Sequence, residues 1–260
     1  MAKNVYTEVN GVARKVTKMY DGVGGVARKV SKAYIGVNGV ALACFPGTPA
    51  GVPISTFDVG STVYMNLNGY RLGFLIVHQG NPDASQYDSS CDGTWLLKKE
   101  NYSSMKWDST DNDYANSNMH AYLNGTFLNL LESGVRSAIK QVKIPYMKGT
   151  GDFGWVVNGS EGLSTKVFLL SAIEVGLYSD YLYSEGACLS YFSSMSEASR
   201  DIDISWWLRT PEKYDSTDVA YIDPYGNYGC SQCTNFVNTC RPAFILPPDV
   251  LVDEEFNVIA

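Results

Sequence analysis

The sequence predicts an α+β fold. Short alternating segments with tight turns come first, helical periodicity follows, and further short strands with long polar loops close the chain. Strand and helix signals occupy separate stretches rather than alternating as in a doubly wound sheet.

The first 45 residues carry a repeat with a period of 14. Val9-Asn10-Gly11-Val12-Ala13-Arg14-Lys15 returns as Val23-Gly24-Gly25-Val26-Ala27-Arg28-Lys29, and a truncated copy follows as Val37-Asn38-Gly39-Val40-Ala41-Leu42. Asn-Gly and Gly-Gly between valines signal hairpins, because a type I′ turn needs positive φ at both central residues. Each unit reads as two short strands, too small to bury a face alone. The apolar positions Val12, Val16, Val26, Val30 and Val40 need a neighbour to cover them, so residues 1–45 are expected to form a β-hairpin attachment module. Its expected partners are other copies of the chain, as a homo-oligomer, or proteins of a larger assembly.

Pro46-Gly47-Thr48-Pro49-Ala50-Gly51-Val52-Pro53 reads as a linker, placed at 46–58, with the main domain at 59–260. Thr62-Val63-Tyr64-Met65-Asn66-Leu67 and Tyr70-Arg71-Leu72-Gly73-Phe74-Leu75-Ile76-Val77 flank Asn68-Gly69, a further hairpin. Met119, Tyr122, Leu123, Phe127, Leu130 and Leu131 share one helical face, with Ser117 as N-cap and Gly125 as a weak point. A second helix is expected from Ser133 to Gln141, a strand over 166–170, and a short helix opened by the Ser171–Glu174 capping box.

Composition narrows the function. A hydrophobic share of 45% with 18% charged residues describes a folded chain. No apolar run approaches the roughly 20 residues of a membrane span, and Met1-Ala2-Lys3-Asn4-Val5 lacks the apolar core of a signal peptide. The net charge of −7 is divided: residues 1–35 hold seven basic groups against Glu8 and Asp21, or +5, and the rest carries −12. The basic residues belong to the repeat and read as a solvated strand face, so no nucleic-acid partner is expected.

No catalytic motif is legible. His78 and His120 could each act as a base, but a hydrogen-bonded structural histidine is the commoner case. Cys230-Ser231-Gln232-Cys233 has the spacing of half a zinc site or a redox pair, yet no helix follows it and both histidines are distant. Asp108, Asp111 and Asp113, and Asp201 with Asp203, offer carboxylates for calcium, but a solvated turn explains them as well. The expectation is no enzyme, no cofactor and no metal.

The most informative stretch is 206–246. It opens on Trp206-Trp207-Leu208-Arg209-Thr210-Pro211 and closes on Arg241-Pro242-Ala243-Phe244-Ile245-Leu246, both rigid and apolar. Between them, 19 of the 26 residues over 214–239 are Tyr, Asp, Ser, Thr, Asn, Gly or Cys, and Gln232 is the only residue there drawn from Lys, Glu, Gln, Met and Trp. Tyr with small polar residues on a fixed scaffold is the composition of a binding surface, and equally of an ordinary polar hairpin region.

Several phrases read together carry a resemblance: Val77-His78-Gln79-Gly80-Asn81-Pro82, Cys91-Asp92-Gly93-Thr94-Trp95-Leu96-Leu97, Ala121-Tyr122-Leu123-Asn124-Gly125-Thr126-Phe127, Val142-Lys143-Ile144-Pro145-Tyr146, Val167-Phe168-Leu169-Leu170-Ser171, and the two ends of 206–246. From about Val59 to Leu246 the chain resembles the variable proteins of diversity-generating retroelements, found in phages and gut bacteria. The resemblance implies a C-type-lectin-type fold with short strands, two or three helices and long loops, displaying a diversified segment on one surface. Where such proteins have a glycine and an aliphatic residue before Arg-Pro-Ala, this chain has Thr239-Cys240. In such systems mutagenesis strikes adenines and cannot reach Lys, Glu, Gln, Met or Trp codons, which agrees with the composition of 214–239.

The resulting expectation is a non-enzymatic ligand-binding protein, a phage receptor-binding or tail-associated component located in the virion. Its ligand would be a host-cell surface protein or glycan. Trp206, Trp207, Arg209, Arg241 and Pro242 would form the framework. Tyr214, Ser216, Thr217, Tyr221, Asp223, Tyr225, Asn227, Tyr228, Ser231, Asn235, Phe236 and Asn238 would make the contacts. The alternatives are an oxidase of the formylglycine-generating type, using paired cysteines, and a calcium-dependent lectin.

Overall fold

In the computed structural model, residues 51–260 are described in full, and within 1–50 the backbone of six strands is described. The chain divides into two compact units, 1–52 and 53–260. In the first unit Tyr6–Val9 pairs with Val12–Lys15, Tyr20–Val23 with Val26–Lys29, and Ala33–Val37 with Val40–Phe45. Val9 faces Val12, Val23 faces Val26 and Val37 faces Val40, so each copy of the repeat closes its own antiparallel hairpin. The turn residues Asn10-Gly11, Gly24-Gly25 and Asn38-Gly39, the expected valine face, and residues 46–50 of the expected linker lie outside the described residues.

The second unit is mixed α+β, built mostly of sheet. Its first residue is Pro53, earlier than the expected 59, because Ile54 is already core. Ile54 is fully buried and its N–H donates to Val250 O at 2.7 Å. A five-stranded antiparallel sheet runs in the order Val167–Phe168, Ala243–Leu246, Thr94–Lys98, Tyr70–Gln79, Thr62–Leu67. Asn68 (φ 49°) and Gly69 (φ 85°) make the expected two-residue turn, with Leu67 opposite Tyr70. A second five-stranded sheet runs Ser103–Ser104, Thr239–Cys240, Trp206–Pro211, Asp218–Ile222, Tyr228–Gln232.

The long helix starts where its cap predicts, with Ser117 Oγ accepting from His120 N at 3.1 Å. It runs as α over Asn118–Tyr122, widens to a π turn over Leu123–Phe127, and returns to α over Leu128–Leu130. Gly125 sits in the π turn, so the weak point of the sequence is where the α ladder gives way. Met119, Leu123, Phe127 and Leu131 are buried, with Tyr122 and Leu130 packed beside them.

Three expected elements are shorter than the sequence suggests. The second helix covers only Ser133–Ala138, because Ile139 turns extended (ψ 123°). The strand at 166–170 pairs only at Val167–Phe168. The capping box forms reciprocally, Ser171 N to Glu174 Oε2 at 2.9 Å and Glu174 N to Ser171 Oγ at 3.1 Å. It nevertheless opens a turn rather than a helix, because Gly176 at φ 74° ends it within one turn.

Glu174 explains why the box stays tight. It is fully buried and takes Arg209 bidentately, at 2.6 and 2.7 Å. Replacing Arg209 by Met leaves Glu174 and Glu185 buried without their cation. The expected loss is about 3–5 kcal/mol, against about 1 kcal/mol or less for Lys213→Met, whose half-buried side chain lies at the surface. Urea unfolding monitored by tryptophan fluorescence checks it, and equal losses in the two variants would contradict this account.

Candidate functional site

The strand Trp206–Pro211 lies at the centre of the second sheet and every residue in it is buried. Both tryptophans need a partner for the indole N–H. Trp206 donates to Arg200 O at 3.1 Å and Trp207 to Met105 O at 3.0 Å. Arg209 donates in addition to Leu169 O and Pro145 O. Burial opposes its charge, but Glu174 and Glu185 reverse that and hold the guanidinium pKa above its ordinary value. Burial pushes the Glu185 carboxyl up, and Glu185 accepts from Met147 N at 2.6 Å and from Thr210 Oγ1.

Arg241 is the second anchor. It lies over the Trp206 ring at 4.5 Å and donates to Lys98 O and Lys99 O, tying the second sheet to the first. Burial pushes its pKa down to about 9. Pro242, also buried, receives Lys98 N on its carbonyl. All five expected framework residues therefore sit in the interior.

The segment between them forms a hairpin and two loops. Asp218–Ile222 pairs with Tyr228–Gln232, closed by a turn in which Asp223 Oδ1 accepts from Tyr225 N and Asn227 N, both at 2.9 Å. Gly226 at φ 85° packs its Cα against the Glu197 carbonyl, where a Cβ would clash. The 212–218 loop is organised from beneath by buried Asn112, whose Nδ2 donates to Asp215 O at 2.7 Å and Asp218 O at 2.9 Å. The 233–238 loop is held by Cys233 O, which accepts from Trp107 N and Asp108 N.

Tyr214, Ser216, Tyr225, Asn227, Tyr228 and Phe236 are exposed, Tyr225 at 75% and Tyr214 at 65%. Thr217, Tyr221, Asp223, Ser231 and Asn235 are half-buried. Asn238 departs from its expected contact role. It is 1% exposed, and its carbonyl accepts from Met105 N, so it belongs to the framework.

The exposed residues do not share one surface. Side chains of a strand alternate between faces, and cross-strand partners share a face. Tyr221 pairs with Gly229, leans over it, and meets Trp207 edge-on at 6.2 Å. Ser231 and Asn235 are joined on that side at 3.1 Å, while Phe236 lies under Lys106 at 4.9 Å. Tyr228 pairs with Ile222 on the opposite face, and its hydroxyl meets Ser179 Oγ at 2.9 Å. Ser179 belongs to a segment that sequence reasoning missed. Tyr181 in that segment meets the Tyr214 ring at 6.1 Å, and Tyr183 Oη donates to Gly151 O at 2.7 Å. Gly151 backs onto Ser216, which brings the exposed Phe153 turn alongside. The missed signal was compositional: Tyr178-Ser179-Asp180-Tyr181-Leu182-Tyr183-Ser184 has the same Tyr, Ser and Asp character as 214–239.

The candidate chemical groups are engaged in structural roles. His78 Nδ1 accepts from Ser190 N and lies 2.8 Å from Ser190 Oγ; His120 Nε2 meets Thr165 Oγ1 at 3.2 Å. Burial lowers both pKa values. Asp108 accepts from Asn118 N, Thr110 N and Asp111 N, and Asp201 from Asp203 N. These are turn-forming contacts. Cys230, Cys233 and Cys240 are free thiols. Burial, with Glu212 and Asp218 nearby, pushes Cys230 up to about 12; burial with Asp108 and Asp111 pushes Cys233 up to about 11. Among the described residues, no group of three His, Cys, Asp or Glu side chains is placed to hold a metal ion, and no helix is long and apolar enough to cross a membrane.

No curated protein and no solved structure matches the chain. Residues 92–248 match a domain of unknown function, DUF6273, which spans the central strands, the helix and the whole 206–246 stretch. With more than half its length in that match, the chain belongs to the DUF6273 domain family.

Proposed function

We propose that this protein is a non-enzymatic ligand-binding protein of the diversity-generating retroelement type, with a C-type-lectin-type arrangement of its second unit. In this reading it serves as a phage receptor-binding or tail-associated protein. One observation carries it: along a single stretch, buried hydrogen-bonded anchors at 206–211 and 239–246 bracket exposed tyrosines and small polar residues. A rigid scaffold that leaves Tyr, Ser and Asn free to vary is what a replaceable contact surface requires. About 800 Å² per partner suffices for a specific interface, within reach of these side chains and their neighbours.

Tolerance to substitution tests it. Randomising Tyr214, Ser216, Tyr225, Asn227, Tyr228 and Phe236 together should leave most clones resistant to protease, whereas randomising Trp206, Trp207 and Arg209 should leave under about a tenth. The Tyr214→Ala, Tyr225→Ala and Tyr228→Ala variants should each keep Tm within about 2 °C. Equal intolerance at both sets would show that the exposed positions serve the fold, and the proposal would fall.

The retroelement part has its own check in the neighbouring DNA. A reverse transcriptase gene and a near-copy of codons 209–244 differing at adenines are expected there; a neighbourhood with neither removes that part alone.

Residues 1–45 are proposed to be the assembly module. Three small hairpins offer edges that another chain must cover, and joining weak binding sites raises avidity by orders of magnitude without new contacts. Deleting them should leave a folded monomer. Light scattering that finds the same oligomer before and after deletion refutes this.

A further inference from the structure

The aromatic platform formed by Tyr181, Tyr183, Tyr214, Tyr228 and Phe153 is set among carboxylates. Asp152, Asp180, Glu212, Asp215 and Asp218 lie on the same segments as these rings, with Lys213 and Lys148. Their proximity is visible in its effects. Burial raises the Tyr183 hydroxyl pKa, and Asp152, Tyr214 and Glu212 add to it; burial raises Asp218, and Asp215 and Glu212 add to that. Among the described residues none of the five carboxylates forms a salt bridge. Several accept local N–H groups, as Asp215 does from Thr217 at 2.7 Å and Glu212 from Tyr214 at 2.9 Å, which fixes the loop without cancelling the charge.

The two lysines show what the rings of this surface accept. Lys213 Nζ lies 5.7 Å from the Tyr183 ring centre and Lys148 Nζ 5.8 Å from that of Trp155. Tyr181 is 60% exposed and Tyr214 65%, and their rings meet edge-on. Exposed rings beside uncompensated carboxylates form a composite acceptor. A guanidinium can stack on the ring while its N–H fork pairs with the carboxylate. A neutral sugar gains nothing from the charge, and a phosphate or sulfate is repelled by it.

Resting on the ligand-binding reading above, we propose that this platform, rather than the Tyr221 and Phe236 side of the sheet, is the docking face. Its partner is a protein segment presenting arginines or lysines.

A synthetic Gly-Arg repeat peptide with four arginines is the probe, titrated into the full chain carrying ¹³C-labelled Tyr and Phe rings at about 50 mM salt. The Tyr181, Tyr183 and Tyr214 rings should shift. Affinity should fall about tenfold or more in the Asp152→Asn, Glu212→Gln, Asp215→Asn triple variant, and similarly at about 300 mM salt. A Gly-Glu repeat should move nothing. Phe256, exposed beside the acidic Asp253–Glu255 run, is the internal control for simple charge adhesion. The proposal is overturned if Phe256 or Phe236 shifts with the same midpoint, if the triple variant binds equally well, or if no platform ring moves at millimolar peptide. If exposed positions tolerate randomisation while the peptide fails, the partner chemistry is wrong and the binding reading stands. If they do not tolerate it, both fall.

Discussion

The buried contact of Arg209 with Glu174 and Glu185 is the constraint on which the rest of this domain depends. Taking three charges out of water costs several kcal/mol each, and attraction offsets that only where geometry is close and the remaining polar atoms are satisfied. Here they are. Arg209 forks onto Glu174 and reaches Leu169 O and Pro145 O; Glu174 also takes Tyr87 Oη at 2.8 Å; Glu185 takes Met147 N. Five stretches of chain, around residues 87, 145–147, 169–174, 185 and 209, are thereby fixed relative to one another. The 177–188 loop has almost no regular structure of its own. It is positioned by Glu185 at one end and by the Leu182 bridge to Glu212 in its middle. The exposure of Tyr181 is thus a remote consequence of a buried ion pair.

The tryptophans supply the second tier of support. Trp95 donates to Cys91 O, Trp107 to Leu208 O, Trp206 to Arg200 O and Trp207 to Met105 O, and all four side chains are fully buried. Each indole fills volume on one strand and ties its ring nitrogen to another segment. Under the proposed reading, rigidity of this kind would let the exposed loop side chains vary while the buried framework holds the fold.

Much of this was legible in the sequence where the signal is local. Asn68-Gly69 dictates its turn, Ser117 its cap, and the spacing Met119, Leu123, Phe127 the buried face of the helix. The two rigid phrases at 206–211 and 241–246 announce the framework by their bulk. What stayed hidden depends on tertiary contact. Nothing in Asn235-Phe236-Val237-Asn238 distinguishes the buried asparagine from the half-buried one. Ile54 looks like linker beside its prolines until Val250 is brought to it. The two-sidedness of the 218–232 hairpin depends on register, which the Asp223–Asn227 turn and Gly226 set. A shift of one residue would carry Tyr221 and Tyr228 to exchanged faces.

That two-sidedness bears on how a variable segment could change specificity. The platform around Tyr214 is composite. Asp152, Asp180 and Glu212, three of its five carboxylates, lie outside 214–239, as do Tyr181, Tyr183 and Phe153. Change confined to 214–239 would replace the tyrosines and other contact side chains while leaving most of the acidic field in place. Charge acts over roughly a Debye length, about 8 Å at physiological salt, and side-chain shape acts only at contact. Under the proposed reading, the fixed part of the surface therefore selects the charge class of partner, and the variable part selects among partners of that class.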